Sequence, residues 1–227
     1  MKSNPSSRTS RKERLLVSAA LLFARWGYDK TSVDDIARES GVSKGAVYLE
    51  FPGKEELFRA VLHHELARYS SDWLRRFEAD PGEWGFARMF QHSLAAIHAN
   101  PLVRALLTRD RRVFGGFLRS DSDLFASVIS LRAELFGQLQ KAGAVRDDIP
   151  APVIAYLVSV MGFGLVASDE VIPESSKVSF EEALNGLGLL LDRGLAPERI
   201  KNRREAKQLI VTMVGRMKAM LHGKEKL

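Results

Sequence analysis

The spacing of apolar residues along this chain predicts helices from one end to the other. In the first part, apolar side chains recur every three or four positions in three short blocks, at about Arg11 to Trp26, Val33 to Ser40 and Lys44 to Tyr48. The third block is too short to persist as an isolated helix, so it must dock on its neighbours through Val42 and Val47. We therefore expect a three-helix unit over residues 11–56.

The residues between the second and third blocks predict a tight turn. Ser32 and Ser43 each stand just before a helix, where a serine hydroxyl accepts a hydrogen bond from a backbone amide three residues on. Gly41 tolerates the left-handed backbone conformation that ends a helix sharply. The exposed positions of the third helix are then small residues, one cation and one phenol. They are Ser43, Lys44, Gly45, Ala46 and Tyr48.

Such a helix suits the major groove of DNA. The groove admits an α-helix, and its base edges offer hydrogen-bond acceptors and thymine methyl groups. We therefore interpret Lys44 to Tyr48 as a recognition helix.

The same letters also match an enzyme motif. Gly41 to Gly45 reads G-x-S-x-G, the pattern of a serine-hydrolase nucleophile elbow, in which a strand must lead into the serine. The preceding residues, DDIARES, have a helical period instead. A serine hydrolase that uses Ser43 is therefore the remote alternative, and we expect no enzyme activity.

The rest of the chain predicts a second, all-helical domain over residues 57–196. Pro52 and Gly53 break the chain before a long helix that begins at Lys54 and runs to about Phe77. Further helices are separated by proline and glycine, and strand-like alternation is absent from the sequence. Their predicted ranges are Glu83 to Ala99, Pro101 to Thr108, Asp121 to Ala142, Pro150 to Ser168 and Ser179 to Arg193. Residues 197–222 predict an additional amphipathic helix, docked on the bundle by default, with a membrane surface or a partner as the alternative.

Apolar stripes in this second domain allow two interpretations each. One set predicts a solid core or the wall of a ligand pocket: Phe86, Met89, Phe90, Ile97, Phe125, Phe136 and Met161. A second set, on two helices that are apolar almost all round, predicts a homodimer interface or a buried monomer core: Tyr156, Val160, Gly162, Phe163, Leu187 and Leu190.

Composition and charge narrow the function. The chain of 227 residues has no cysteine, which excludes disulfides and thiolate metal sites, and its five histidines lack metal-ligand spacing. We expect neither a metal nor a cofactor. Its longest apolar run, Val153 to Ala167, is too short to span a bilayer, so we expect no membrane association and a cytoplasmic protein. The net charge of +6 comes from the chain ends. Residues 1–10 are expected to form a disordered basic arm along DNA phosphates, with a solubilising tail as the alternative.

Arg14 to Leu57 resembles the N-terminal DNA-binding domain of the TetR family of bacterial transcriptional regulators. The resemblance lies in LLVSAALLFARWGY, TSVDDIA, GVSKGAVY and the closing F-P-x-K-E, in that order. It implies a homodimer, associated with the nucleoid, that binds double-stranded operator DNA, usually as a repressor. A helical C-terminal domain would bind a small apolar or amphipathic effector that releases the DNA. The candidate DNA contacts are Thr31, Ser32, Ser43, Lys44, Gly45, Ala46, Tyr48 and Lys54.

Glu50 departs from the family pattern. It stands where such sequences usually carry histidine or tyrosine, and a carboxylate repels phosphate. Either Glu50 turns away, or it accepts from a cytosine amine, or the usual contact is missing. A helical ligand-binding protein with weakened or lost DNA binding is therefore the alternative function.

Overall fold

Helices account for all the regular secondary structure in the part of the chain that the computed structural model describes, residues 10–80, 86–119, 123–195, 197 and 203–223. The all-α prediction is confirmed. The N-terminal helices are α1 (Arg11–Trp26), α2 (Val33–Ser40), α3 (Lys44–Glu50) and the long α4 (Lys54–Ala79). The remaining α-helices are α5 (Phe86–His98), α6 (Pro101–Thr108), α7 (Arg111–Phe114), α8 (Asp123–Lys141), α9 (Ala151–Val166), α10 (Ser168–Val171), α11 (Phe180–Leu195) and α12 (Arg203–Gly223).

The first helices begin at hydroxyl caps, as expected. The Ser32 hydroxyl accepts from the Asp35 amide, and the Asp35 carboxylate accepts in return from the Ser32 amide, which forms a capping box. Gly41 ends α2 in the left-handed conformation, at φ 69°. Ser10 also caps a helix, because its Oγ accepts from the Glu13 amide at 3.1 Å. It therefore belongs to α1, while residues 1–9 of the predicted arm lie outside the described residues.

Two hydrophobic cores share the single helix α4. Its first half packs on α1, α2 and α3 through Leu57, Phe58 and Val61, while its second half packs on α5 through Tyr69 and Trp73. The first core does not end at residue 56. Leu102 and Ala105 of α6, Phe114 of α7 and Phe117 of the 3₁₀ turn Gly115–Arg119 complete it. A rigid helix thus runs from the N-terminal unit into the bundle.

The short elements were missed by sequence reasoning. α7 and α10 have four residues each, which is too few for an apolar period to appear. α7 begins at Asp110, whose carboxylate accepts from the Arg112 amide at 2.8 Å and pairs with its guanidinium. The arginine-rich stretch around Asp110 is therefore a capped turn on the surface.

The C-terminal helix α12 docks on the bundle, as its default interpretation predicted. Ala206, Ile210 and Met213 are buried, and the helix packs against α4 and α8. The guanidinium of Arg216 pairs with Glu134 of α8 at 2.5 Å. Within the described residues, no helix is both long and apolar enough to cross a membrane.

Gly27 is a position at which a side chain would be poorly tolerated. Its φ is 82°, and a Cβ atom would lie 2.1 Å from the carbonyl oxygen of Arg112 in α7. We expect Gly27→Ala to lower the free energy of unfolding by about 2 kcal/mol or more, because the backbone must shift away from α7. Urea denaturation followed by circular dichroism measures this.

Gly45→Ala is the matched control. Gly45 is helical, and the space around it is open, so the change should move the free energy of unfolding by no more than about 1 kcal/mol. Equal midpoints for the two variants would contradict the close packing at Gly27.

Candidate nucleic-acid interface

The helix α3 projects from the first core on a small apolar base. Val47 is buried against that core, Val42 is half-buried against it, and Phe51 ends the helix inside it. The Ser43 hydroxyl caps α3 by accepting from the Ala46 amide at 3.2 Å. Ser43, Lys44 and Gly45 are exposed at its N-terminal end. The predicted recognition surface therefore exists as one short exposed face.

Tyr48 and Leu49 add bulk to this face. Tyr48 is exposed, as predicted, and Ala46 is half-buried beside it. Leu49 is the residue that sequence reasoning missed, since its side chain is 82% exposed. α3 continues for two residues beyond Tyr48, to Glu50, so Leu49 also lies on the helix, and its side chain faces outward. A large apolar side chain at this position suits contact with thymine methyl groups.

Thr31 does not share this exposure. It is only 1% exposed, and its hydroxyl donates to the Gly27 carbonyl at 2.8 Å. This corrects the expectation of a side-chain contact with DNA, because the hydroxyl instead holds the loop between α1 and α2. Ser32 is exposed at the start of α2, where its hydroxyl is engaged by Asp35. That hydrogen bond is the largest of the effects that lower the pKa of the Asp35 carboxyl.

Lys54 is also engaged within the protein. Its Nζ donates to the Tyr28 carbonyl at 3.0 Å and lies 4.3 Å from the centre of the Tyr28 ring. The side chain is half-buried and joins the start of α4 to the loop after α1. In this arrangement the Lys54 ammonium is not directed into solvent, contrary to what a free phosphate contact requires.

Lys44 carries a carboxylate partner from the neighbouring helix. Its Nζ donates to Asp34 Oδ2 of α2 at 2.9 Å, and this hydrogen bond raises the pKa of the lysine. Both side chains are largely exposed. The cation of the recognition helix is therefore partly neutralised before any DNA arrives.

Glu50 turns away from solvent toward the start of α1. Its Oε1 accepts from Arg11 Nε at 3.2 Å, and Arg11 Nη2 lies 3.1 Å from the same oxygen. Of the three possibilities left open by the sequence, the first is the one observed. The pair also fixes the last turn of α3 to the first turn of α1.

The nucleophile-elbow alternative is wrong. The segment that leads to Ser43 is the helix α2 followed by a turn, where an elbow needs a strand. The Ser43 oxygen serves as a helix cap. Among the described residues, no group of histidine, aspartate and glutamate is arranged to hold a metal ion.

The residues predicted for a ligand pocket lie in the second core. Phe86, Met89, Phe90, Ile97 and Phe136 are buried there, and Met161 is half-buried against them. The Phe86 and Phe136 rings pack with centroids 4.9 Å apart. The side chain of Phe125 lies outside the described residues. A pocket among these residues remains a prediction.

Most residues predicted for a dimer interface are exposed. Tyr156, Val160 and Phe163 lie along one side of α9, and Leu190 lies on α11 with 71% of its side chain exposed. Leu187 is half-buried against the core.

Gly162 requires a correction. It is buried, and a Cβ there would lie 3.1 Å from Phe90 Cζ. This glycine lets α9 approach α5 inside the subunit and does not lie on the exposed face.

A short outward helix, entered through a left-handed glycine turn on an all-helical chain, defines a helix-turn-helix protein. Residues 15–61 match the model of the bacterial regulatory proteins of the tetR family. Over these residues the chain is similar to the DNA-binding domain of the TetR family of transcriptional regulators.

Relatives of known sequence and structure show further similarity. The regulator YuxN of Bacillus subtilis is 50% identical over 54 residues, which are 23% of this chain and 19% of YuxN. The repressor Rv1474c of Mycobacterium tuberculosis is 28% identical over 160 residues, which are 70% of this chain and 81% of that repressor. The regulator FadR of Bacillus subtilis, solved in complex with stearoyl-CoA, superposes with a TM-score of 0.60 at 13% identity, covering 78% of this chain and 96% of FadR. At this identity the superposition shows a shared fold.

The pair of Asp34 and Lys44 gives a prediction about salt dependence. Asp34→Asn removes a negative charge beside the recognition helix and frees the lysine for phosphate. We expect tighter binding to duplex DNA, with the slope of log K against log salt concentration steeper by about 0.9 for each half-site. Fluorescence anisotropy over a salt series measures both quantities.

Asp148→Asn is the control for this experiment. Asp148 pairs with Arg146 in the loop between α8 and α9, and its side chain is 61% exposed, as that of Asp34 is. This variant should leave the slope unchanged. Equal slopes for Asp34→Asn and the unmodified protein would show that Asp34 does not oppose DNA binding.

Proposed function

We propose that this protein is a dimeric repressor that binds a palindromic operator and leaves it when a small amphipathic effector binds. The outward placement of α3 carries the proposal. With Val47 alone of its side chains buried, α3 offers Ser43, Lys44, Tyr48 and Leu49 to a major groove. Two copies related by a twofold axis would reach half-sites about 34–36 Å apart, one turn of DNA. DNA binding would place the protein at the nucleoid, in the cytoplasm.

The exposed apolar faces of α9 and α11 support the dimer. Val153, Tyr156 and Val160 follow one another along α9, while Leu189 and Leu190 stand out from the adjacent α11. A contiguous apolar surface of this kind marks an interaction site. The same two helices from a second subunit would cover it in a four-helix arrangement, which closes with twofold symmetry.

Regulation by an effector rests on the shared helix α4. A change in the second core moves α4, and α4 positions the first core and α3. A buried polar contact makes α6 part of this path. Glu65 of α4 accepts from Asn100 Nδ2 at 2.7 Å, and Asn100 Oδ1 caps α6 by accepting from the Val103 amide. The complex of FadR with stearoyl-CoA supports an amphipathic effector for this fold.

The alternative is a ligand-binding protein that has lost specific DNA binding because of Glu50. The pairing of Glu50 with Arg11 weighs against it, because the carboxylate is already neutralised and turned from the exposed face.

The first test concerns the recognition helix. An operator is selected from random duplexes with the purified protein, and binding is compared for Lys44→Ala and Tyr48→Ala. Each side chain that reaches a base edge should contribute about 1–3 kcal/mol, so we expect at least about a fivefold loss of affinity for each variant with unchanged melting temperature.

Lys177→Ala is the control, since Lys177 also pairs with a carboxylate, that of Glu174, at 2.8 Å. It should bind the operator as the unmodified protein does. If no sequence is selected, the repressor function is wrong. If a sequence is selected and both α3 variants bind it normally, another surface reads it.

The second test concerns the dimer. Leu190→Glu places a carboxylate in the proposed interface, where it would lose its water without gaining a partner. We expect the unmodified protein to sediment as a dimer at micromolar concentration and Leu190→Glu as a folded monomer. Analytical ultracentrifugation separates the two.

Val178→Glu is the matched control, because Val178 is an exposed valine in the segment before α11. It should remain a dimer. A monomeric unmodified protein, or a dimer that Leu190→Glu leaves intact, would refute this interface.

A further inference from the structure

Four helices of the second core each contribute one polar group to the same level of the bundle. Tyr69 of α4 and Ser93 of α5 are buried, and their hydroxyl oxygens lie 2.8 Å apart. Arg132 of α8 donates from Nη1 to Ser159 Oγ of α9 at 2.9 Å. The two pairs are neighbours, because a Cβ at Gly162, three residues after Ser159 on α9, would lie 3.1 Å from Phe90 Cζ and 3.2 Å from Leu94 Cδ2, on either side of Ser93 on α5. Burial raises the pKa of Tyr69, and the nearby Arg132 guanidinium opposes this. We call Tyr69, Ser93, Arg132 and Ser159 the polar level.

The charge of the polar level is unbalanced. Arg132 is half-buried, and within the described part of the chain its guanidinium has one hydrogen-bond acceptor, the neutral hydroxyl of Ser159. Several other arginines are paired with carboxylates, as Arg76 is with Asp72 and Arg216 with Glu134. A partly buried cation without a counter-ion is costly, and a guanidinium has a planar fork of donors suited to a carboxylate or phosphate. An anion at this level would remove the imbalance.

An aromatic layer lies one helical turn from the polar level. Phe136 follows Arg132 by four residues on α8, and Trp73 follows Tyr69 by four on α4, so each lies on the same helix face as its polar partner. Phe86 packs against Phe136, and the Trp73 indole is satisfied because it donates to the Met89 carbonyl at 3.1 Å. The interior thus places the Arg132 cation beside an apolar aromatic layer. The one polar group of that layer, the Trp73 indole N–H, already has its acceptor.

We propose that the polar level binds the anionic head, a carboxylate or a phosphate, of the amphipathic effector. Arg132 forms the ion pair, the hydroxyl proton that the pair of Tyr69 and Ser93 leaves free is donated to the head, and the apolar body lies against the aromatic layer. Tyr69 belongs to α4, so binding of the head acts on the helix that leads to the recognition helix. This inference rests on the proposed regulation by an effector and assigns the chemical class and the head-binding residues.

The test uses four probes with the same twelve-carbon chain: dodecanoate, dodecyl phosphate, dodecan-1-ol and dodecyltrimethylammonium. Binding to the full chain is measured by isothermal titration calorimetry below the critical micelle concentration. We expect the two anions to bind at least about tenfold more tightly than the alcohol and the ammonium compound, since a hydrogen-bonded charge contributes roughly 1.5–3 kcal/mol. The ratio between the two anions identifies the preferred head.

Arg132→Gln should lower the affinity for both anions by at least about tenfold and change the affinity for the alcohol by no more than about twofold. Arg132→Lys keeps the positive charge, so its affinity for the two anions should fall less. If the glutamine variant does not fold, the lysine variant tests the proposal in its place. Arg75→Gln is the control, because Arg75 is an exposed arginine on the same helix as Tyr69. Equal binding of all four probes, anion binding that Arg132→Gln leaves unchanged, or failure of both anions to bind would each overturn the proposal.

Operator binding by the same samples separates this inference from the proposed function. Arg132→Gln should bind the operator with unmodified affinity and no longer release it when dodecanoate is added. If the unmodified protein binds the operator but neither anion, only the head-binding site is wrong. If the unmodified protein selects no operator but binds the anions through Arg132, the head-binding site is supported and the proposed repressor function is wrong.

Discussion

The packing of Phe58 is the interaction on which the rest of the structure depends. This residue of α4 is fully buried, and its ring contacts those of Phe23, Tyr28, Phe114 and Phe117 at centroid distances of 4.6, 5.0, 5.5 and 4.7 Å. These rings come from α1, the loop after it, α7 and the 3₁₀ turn. One side chain therefore joins the N-terminal helices to elements that follow α6 in the chain. Removal of a buried phenylalanine typically costs about 3–5 kcal/mol, and here the loss would fall on the junction between the two cores.

This junction explains how so small a recognition helix holds its direction. α3 has seven residues and little buried surface, so its orientation is inherited from α1 and α4. α4 is continuous from Lys54 to Ala79 and takes part in both cores, so a tilt that begins near Tyr69 reaches Phe58 without crossing a loop. The buried pair of Glu65 and Asn100 lies between these two positions and ties α6 to the same motion. In the proposed function, α4 would therefore connect DNA binding and effector binding without a flexible linker.

The sequence predicted features whose cause is local. Ser32, Gly41 and Ser43 act within one helical turn, so their residue types suffice to place α2 and α3. Partners far apart in the chain were not predictable: Lys54 reaches Tyr28, 26 residues away, and Glu50 pairs with Arg11, 39 residues away. The prediction that Gly162 lies in the dimer interface was wrong for a different reason. A helix that is apolar almost all round has no period that tells its inner side from its outer one.

The Asp34 carboxylate beside the recognition helix bears on affinity more than on specificity. Exposed ion pairs such as Lys44 with Asp34 contribute about 0–1 kcal/mol, so a phosphate can replace the carboxylate at little cost. The carboxylate nevertheless remains near the phosphate and opposes every duplex to the same extent, because phosphates carry no sequence information. In the proposed function, contacts from Tyr48 and Leu49 to base edges would not depend on that charge. A negative charge in this position therefore lowers binding to all DNA while the discrimination between sequences is kept.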